Sequence, residues 1–316
     1  MTTRILVSHT DAGAQKRWER ALRAALPATF DIVDTPDPEV RHLVTWTPAD
    51  DLFNALPALQ TCFSAAAGVD HLIDNPSLPP ALPVYRLLDA GMAEQMVRYC
   101  RHEVERRLMR KAVYEDQQQQ AQWIEHAARA PAELSVGVFG FGVLGKAVAT
   151  ALAEEGYQVA AFRRQPQDET LALDGGRSID VFGGPDRWAA FLQRCEVLIL
   201  LAPLTPATEH IIDAQALADL PAGAALVNVG RGGLIDTDAL LAALASGQVS
   251  SASLDVFEHE PLPADHPLWH APGVRLTPHV SALTLVEPAA RQVAEGILAF
   301  EAGQPVPGRV ERSAGY

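Results

Sequence analysis

Apolar residues in this chain fall in two rhythms. Early on, short aliphatic and β-branched runs, RILVSH, FDIVD, HLVTW and TCFSA, are interleaved with stretches around Ala14 to Leu26 and Asp50 to Leu56 whose apolar positions recur at helical spacing. Such alternation predicts a parallel sheet wrapped by helices. PSLPPALP, Pro76 to Pro83, is a loop by composition. From Ala93 the pattern AEQMVRYCRHEVERRLMRKAVYEDQQQQ predicts one extended helix. A second and more regular βα series opens at Val136, with strands expected in VGVF, YQVAAF, CEVLILL, GAALVNV, VSSASLDV and GVRLTPH. A last helix, about Glu287 to Ala302, follows once that series is complete. No repeat of solenoid period is present.

Composition narrows the class. A chain of 316 residues, 48% hydrophobic and 20% charged, is long enough for two domains that each bury a core. No window approaches the roughly 20 uninterrupted apolar residues of a membrane helix. MTTRILVSHTD turns polar too soon for a secretory signal, so the expected location is the cytoplasm. The 39 acidic residues outnumber the 25 Lys and Arg, and a net charge of −14 repels nucleic acid and anionic membranes. An anionic substrate then depends on a local cluster of positive charge. Cys62, Cys100 and Cys195 form no C-x-x-C pair, which points away from zinc and disulfides and toward buried thiols; no metal is expected.

The chemistry begins at Gly140-Phe141-Gly142-Val143-Leu144-Gly145, which completes G-x-G-x-x-G directly after a strand and opens an alanine-rich helix. Its first glycine permits the tight turn, the second lets the backbone approach a pyrophosphate, and the third lets helix and strand pack closely. Free N–H groups at the helix start then hold the anion. Gly140 to Lys146 also spells most of a mononucleotide P-loop, but Ala147 stands where a hydroxyl should hold magnesium. About 20 residues past the fingerprint an NAD enzyme places a carboxylate against the adenosine ribose. Arg163 and Arg164 occupy that ground here. Guanidinium groups suit a 2′-phosphate, so NADP(H) is expected in preference to NAD(H).

Three later segments, LVNVGRGGLID, SLDVFEHEPLP and LTPHVSAL, each set polar groups just after a hydrophobic strand, the edge at which open α/β sheets bind ligands. Together with the glycine turn they closely resemble the D-isomer-specific 2-hydroxyacid dehydrogenase family over nearly the whole chain. RLLDAGMAEQM, HPLWHAPGVRLTPHVSALT and the closing RSAGY are most similar to its glyoxylate/hydroxypyruvate reductase A branch. The resemblance implies a catalytic set of Arg231, Glu260 and His279. The residue types fit reduction of a 2-keto acid, in which hydride reaches the carbonyl carbon and a proton its oxygen. Imidazole, which titrates near neutrality, is the suitable proton donor. A glutamate against it favours the protonated ring and fixes its orientation. An arginine pairs with the substrate carboxylate and steadies charge building on the carbonyl oxygen.

By the same resemblance, Ala67, Gly68 and Val69 in SAAAGVDHLID offer backbone N–H groups to the substrate carboxylate, with Ala66 where the family has a glycine, and Trp46 walls the substrate pocket. Ala202, Pro203 and Thr208 in LAPLTPATEHIID, with Val229 and Gly230, line the cofactor, and Asp255 meets the nicotinamide amide. His259, His266 and His270 read as surface loop histidines. Family members have two doubly wound, Rossmann-like domains with a discontinuous boundary, which implies a substrate domain of residues 1–92 and 284–316 around a dinucleotide-binding domain of 93–283. It also implies a site in the cleft between the domains, with the helix from Ala93 as the arm of a homodimer. Two other readings share this fold. One is a dinucleotide-sensing, corepressor-like binding protein. The other is a formate- or phosphite-type dehydrogenase, against which the two arginines argue because such enzymes favour NAD.

Overall fold

The computed structural model describes residues 2–312; residues 313–316 of RSAGY lie outside the described residues. The chain forms two compact units, one from residues up to Met92 with the stretch from Thr284 onward, the other from Ala93–Leu283. In the first unit, β1 (Thr3–His9), β2 (Phe30–Val33), β3 (Val40–Trp46), β4 (Thr61–Ser64) and β5 (Val84–Tyr85) pair in the order β2-β1-β3-β4-β5. All four pairings are parallel. This is the flavodoxin-like doubly wound order, whose switch point lies between β1 and β3. Helix α1 (Ala12–Ala25) starts where the Asp11 carboxylate accepts the Ala14 N–H, and it packs on the closing helix Val286–Glu301. Small residues let that closing helix lie close to the sheet: a Cβ on Gly296 would stand 2.8 Å from the Phe63 ring.

Helix α2 (Asp70–Ile73) follows the β4 loop. The helix expected over Asp50 to Leu56 is instead one 3₁₀ turn, Leu52–Ala55. Pro57 disfavours helical geometry at Leu56, so the segment cannot propagate.

In the second unit, α3 (Met92–Leu108) and α4 (Lys111–Gln119) precede β6 (Ser135–Phe139), α5 (Val143–Glu154) and β7 (Gln158–Arg163). Then come β8 (Glu169–Ala172), β9 (Ser178–Gly183), α6 (Trp188–Leu192), β10 (Val197–Leu200), α7 (Ala214–Asp219), β11 (Ala224–Asn228), α8 (Thr237–Ser246), β12 (Val249–Leu254) and β13 (Val274–Leu276). The sheet order is β13-β12-β11-β10-β6-β7-β9-β8. From β9 to β12 this is the dinucleotide-binding order 3-2-1-4-5-6, with its switch point between β6 and β10. Successive side chains of the central strands enter opposite cores: Leu198 and Leu200 pack with Phe139, Phe162 and Phe191, whereas Val197 and Ile199 pack with Val136, Val138 and Val148. Burial on both faces explains the unbroken apolar runs.

Two sequence expectations need correction here. The extended helix from Ala93 breaks at Arg110, which takes φ 53° and ψ 35°. Its buried stripe, Met96, Cys100 and Val104, ends near Leu108, so no core draws the helix onward, and the reversal brings Arg106 Nη2 to 2.9 Å from Glu115 Oε1. The βα series also contains two more strands, β9, parallel to β7, and β8, antiparallel at the edge. The hairpin β8–β9 turns through Gly175 and Gly176, both at positive φ. DGG between alternating residues is the signal that locates such a turn.

Candidate active site

The candidate residues of the second unit lie at the carboxyl ends of parallel strands or in the segments that follow them, with Gly145 in the first turn of α5 and Thr208 farther along the segment after β10. After β6 the backbone turns through Gly140 at φ 104°, where a Cβ would lie 2.5 Å from Ala202 N, so only glycine fits. The Gly140 N–H is used by Phe162 O at 3.1 Å. A Cβ on Gly145 would stand 1.8 Å from Gly140 O, whereas one on Gly142 would meet nothing within 4 Å. Gly142 is the N-cap of α5 and no side chain caps that helix, so its first-turn amides lack side-chain acceptors. Phe141 and Leu144 pack inward and Val143 stays exposed. An open, uncapped helix start of this kind suits a dinucleotide pyrophosphate. Ala202 is buried beside the turn, and the Thr208 hydroxyl donates to Pro203 O at 2.8 Å, which rigidifies the 203–208 segment.

Arg163 ends β7, and the edge hairpin brings it a partner absent from the sequence reading: Nη1 lies 2.9 Å from Glu169 Oε1, and Nη2 donates to Gln167 O at 3.2 Å. Arg164 follows on the exposed side. Two guanidinium groups at one strand tip fit a 2′-phosphate, one of them held in place by Glu169.

His279 and Glu260 come together directly, with His279 Nδ1 2.8 Å from Glu260 Oε2. Glu260 Oε1 accepts the Phe257 N–H at 3.0 Å, so the carboxylate is fixed from two sides. A carboxylate on Nδ1 places a proton there and leaves Nε2, which has no partner among the described residues, as the nitrogen able to act on a substrate. His279 adopts φ 54°, an unfavourable backbone for a residue with a Cβ. Asp255 supports it. This residue is buried, and its carboxylate accepts Thr277 Oγ1–H at 2.6 Å and the Val280 and Ser281 N–H groups at 2.9 Å, while its carbonyl takes the His279 N–H at 2.8 Å.

Arg231 follows β11 on a loop held by Asn228, whose Nδ2 donates to Arg231 O at 2.9 Å and whose Oδ1 accepts the Gly230 N–H at 3.1 Å. The buried Val229 N–H goes to Leu200 O at 3.1 Å. Arg231 Nη1 turns back on Gly230 O at 2.8 Å. Sequence reasoning passed over Asn228 and Thr277. A polar residue closing the otherwise apolar AALVN run was the available signal for Asn228.

In the first unit, Trp46 closes β3 beside the switch point, its ring 4.0 Å from that of His71. Ala67 and Gly68 are half-buried in the loop after β4, and Val69 is buried. Ala66 does not take a positive φ, so alanine is accommodated where the family has glycine. The three cysteines are buried, and burial pushes each thiol up. Among the described residues no group of three His, Cys, Asp or Glu side chains is disposed to hold a metal ion.

The model of the D-isomer specific 2-hydroxyacid dehydrogenase NAD-binding domain matches residues 106–281. A glyoxylate/hydroxypyruvate reductase A from Serratia proteamaculans is 39% identical over 280 residues, 87% of this chain and 87% of that protein. A D-isomer specific 2-hydroxyacid dehydrogenase from Xanthobacter autotrophicus Py2, solved with NADPH and MES, has a TM-score of 0.91 at 37% identity and covers 100% of this chain and 99% of its own. An NADPH-dependent glyoxylate/hydroxypyruvate reductase from Sinorhizobium meliloti, solved with NADP and sulfate, has a TM-score of 0.89 at 31% identity over 100% of both chains.

Proposed function

The chain belongs to the D-isomer specific 2-hydroxyacid dehydrogenase family, and on that footing we propose that it reduces glyoxylate and hydroxypyruvate, with NADPH as reductant and His279 as proton donor. It is an NAD(P)-dependent oxidoreductase that binds NADP(H). The single observation that carries the finer reading is the His279 Nδ1–Glu260 Oε2 contact of 2.8 Å, with Nε2 left available. When bound, the reduced nicotinamide supplies hydride to the carbonyl carbon. His279 Nε2 gives its proton to the carbonyl oxygen, and Glu260 holds the ring through Nδ1–H and balances the cation that precedes the transfer. Arg231 pairs with the substrate carboxylate and with charge growing on the oxygen.

The Gly140–Gly145 turn, with Ala202, Pro203, Thr208, Val229 and Gly230, forms the proposed dinucleotide cradle, and Arg163 and Arg164 grip the 2′-phosphate. We assign the dinucleotide-binding role to residues 93–283. The substrate role goes to 1–92 and 284–316, where Trp46, Ala67, Gly68 and Val69 are its proposed contacts. The working form is a homodimer in the cytoplasm. Its arm is the segment around α4, where Met109, Val113, Tyr114, Trp123 and Ile124 are exposed large hydrophobics.

Kinetics with NADPH and NADH over a panel of 2-keto acids test this reading. His279→Gln should lower kcat by roughly 10²- to 10⁴-fold while NADPH still binds. Arg163→Asp combined with Arg164→Asp should lose kcat/KM largely with NADPH alone. Tight NADPH binding by the wild-type protein without turnover of any keto acid overturns the enzymatic assignment in favour of a dinucleotide sensor.

A further inference from the structure

Helix α3 carries polar side chains at four-residue spacing, Gln95, Tyr99, Glu103 and Arg107, which therefore share one face. All four reach the β12–β13 side of the second unit. Gln95 Nε2 donates to Leu283 O at 2.9 Å, and its Oε1 accepts the Leu283 N–H at 3.3 Å. Tyr99 Oη lies 2.7 Å from Thr277 Oγ1. Glu103 Oε2 accepts from Arg275 at 2.8 Å and from Ser253 Oγ at 2.5 Å, and Arg107 donates to Gly223 O at 2.8 Å. The first two grips fall on the two ends of the segment 277–283, whose third residue is His279.

The direction of the bonds follows from proton count. A hydroxyl has one proton, and Thr277 gives its proton to Asp255 Oδ1 at 2.6 Å, so Thr277 Oγ1 accepts from Tyr99 Oη–H. Burial pushes the Tyr99 hydroxyl up to about 12, which keeps it a donor throughout the neutral range. The resulting chain runs Tyr99 to Thr277 to Asp255, and Asp255 in turn fixes the Val280 and Ser281 amides. His279 holds φ 54° between these anchors, and a backbone of that kind persists only where its surroundings over-determine it.

We propose that Tyr99, seconded by Gln95, is a positioning residue that holds the His279 loop in its working conformation through Thr277 and Asp255. The catalytic part of this inference rests on His279 being the proton donor; the mechanical part does not. Arg107 is an internal control, because it tethers the same helix to Gly223, away from the His279 loop.

The test compares Tyr99→Phe with Thr277→Val, Thr277→Ser and Arg107→Met. In cofactor-free protein, amide exchange at His279, Val280 and Ser281 is expected to be about tenfold faster in Tyr99→Phe and in Thr277→Val, but not in Thr277→Ser or Arg107→Met. In turnover, Tyr99→Phe should lower kcat about tenfold, leave KM for the keto acid and Kd for NADPH within about twofold, and add nothing in a Thr277→Val background. Wild-type exchange at the three amides in Tyr99→Phe, or losses that match Arg107→Met in every readout, overturn the proposal. If the wild-type chain turns over no keto acid, the functional reading falls while the exchange measurement still decides the bracing role.

Discussion

Glycines of one turn separate fold from ligand at the scale of single residues. The Cβ that Gly145 lacks would overlap Gly140 O at 1.8 Å, whereas the one that Gly142 lacks would project into open space. Gly145→Ala is therefore expected to cost about 1–3 kcal/mol, seen as a lower denaturation midpoint. Gly142→Ala should leave that midpoint unchanged and weaken NADPH at least about tenfold by fluorescence titration, because its methyl takes the space through which a pyrophosphate approaches the backbone. Equal loss of stability in both variants would show that Gly142 is there for the fold. The glycines were legible from their spacing, whereas Arg231, Glu260 and His279 were named as candidates by resemblance to the family. The φ of His279 and the engagement of Arg163 by Glu169 were not legible, since the first depends on anchoring contacts from Asp255 and the second on the turn the chain takes from β7 into β8.

At the scale of elements, periodicity located the long helices and the apolar strands, since an apolar run buried on both faces is visible without knowledge of its partners. It failed where the partner decides. Strand β8 is exposed at Glu169, Thr170 and Ala172, carries no apolar alternation, and exists through its pairing with β9. The polar row of α3 has the same spacing as a solvated face, and only the strands opposite make it a brace. The closing helix shows how one pair of elements is held. On β3, buried His42 sets Nδ1 2.7 Å from Thr61 Oγ1 and Nε2 3.1 Å from Glu301 Oε1, at the end of that helix. Burial lowers the His42 pKa from 6.5 to about 4, outweighing the opposing pull of Glu301 and aided slightly by Arg41. Between those values the unfolded chain binds a proton that the folded chain does not. Stability should therefore fall as pH drops from about 6.5 toward about 4, by on the order of a few kcal/mol in the limit. Urea unfolding of wild type and His42→Gln across that range checks the sign, and parallel pH dependence in the two proteins would remove His42 as the cause.

For the whole molecule, a charge of −14 favours solubility over association, so self-assembly requires a localised apolar surface. Trp123 is 101% exposed and neighbours Ile124, a costly arrangement for a chain that remains a monomer. If the proposed homodimer forms through this surface, wild type sediments as a dimer and Trp123→Glu combined with Ile124→Glu is expected to shift it to monomer without loss of secondary structure. A wild-type monomer would overturn the proposed homodimer, and a dimer unchanged by the two substitutions would place its interface elsewhere.

Local pattern alone determined the α/β class and the glycine turn, because strand burial and close backbone approach each demand particular side chains at fixed positions; Arg231, Glu260 and His279 came as candidates from the resemblance to the family. Tertiary structure decided what joins them: the hairpin that gives Arg163 a carboxylate partner, the Asn228 clamp on the Arg231 loop, and the run from Tyr99 through Thr277 to Asp255 that supports His279. The Tyr99–Thr277 contact spans 178 residues of sequence and depends on where two distant backbones are carried by packing, while the Arg163 and Asn228 contacts are short in sequence and depend on the turn the chain takes between the partners; local periodicity encodes neither.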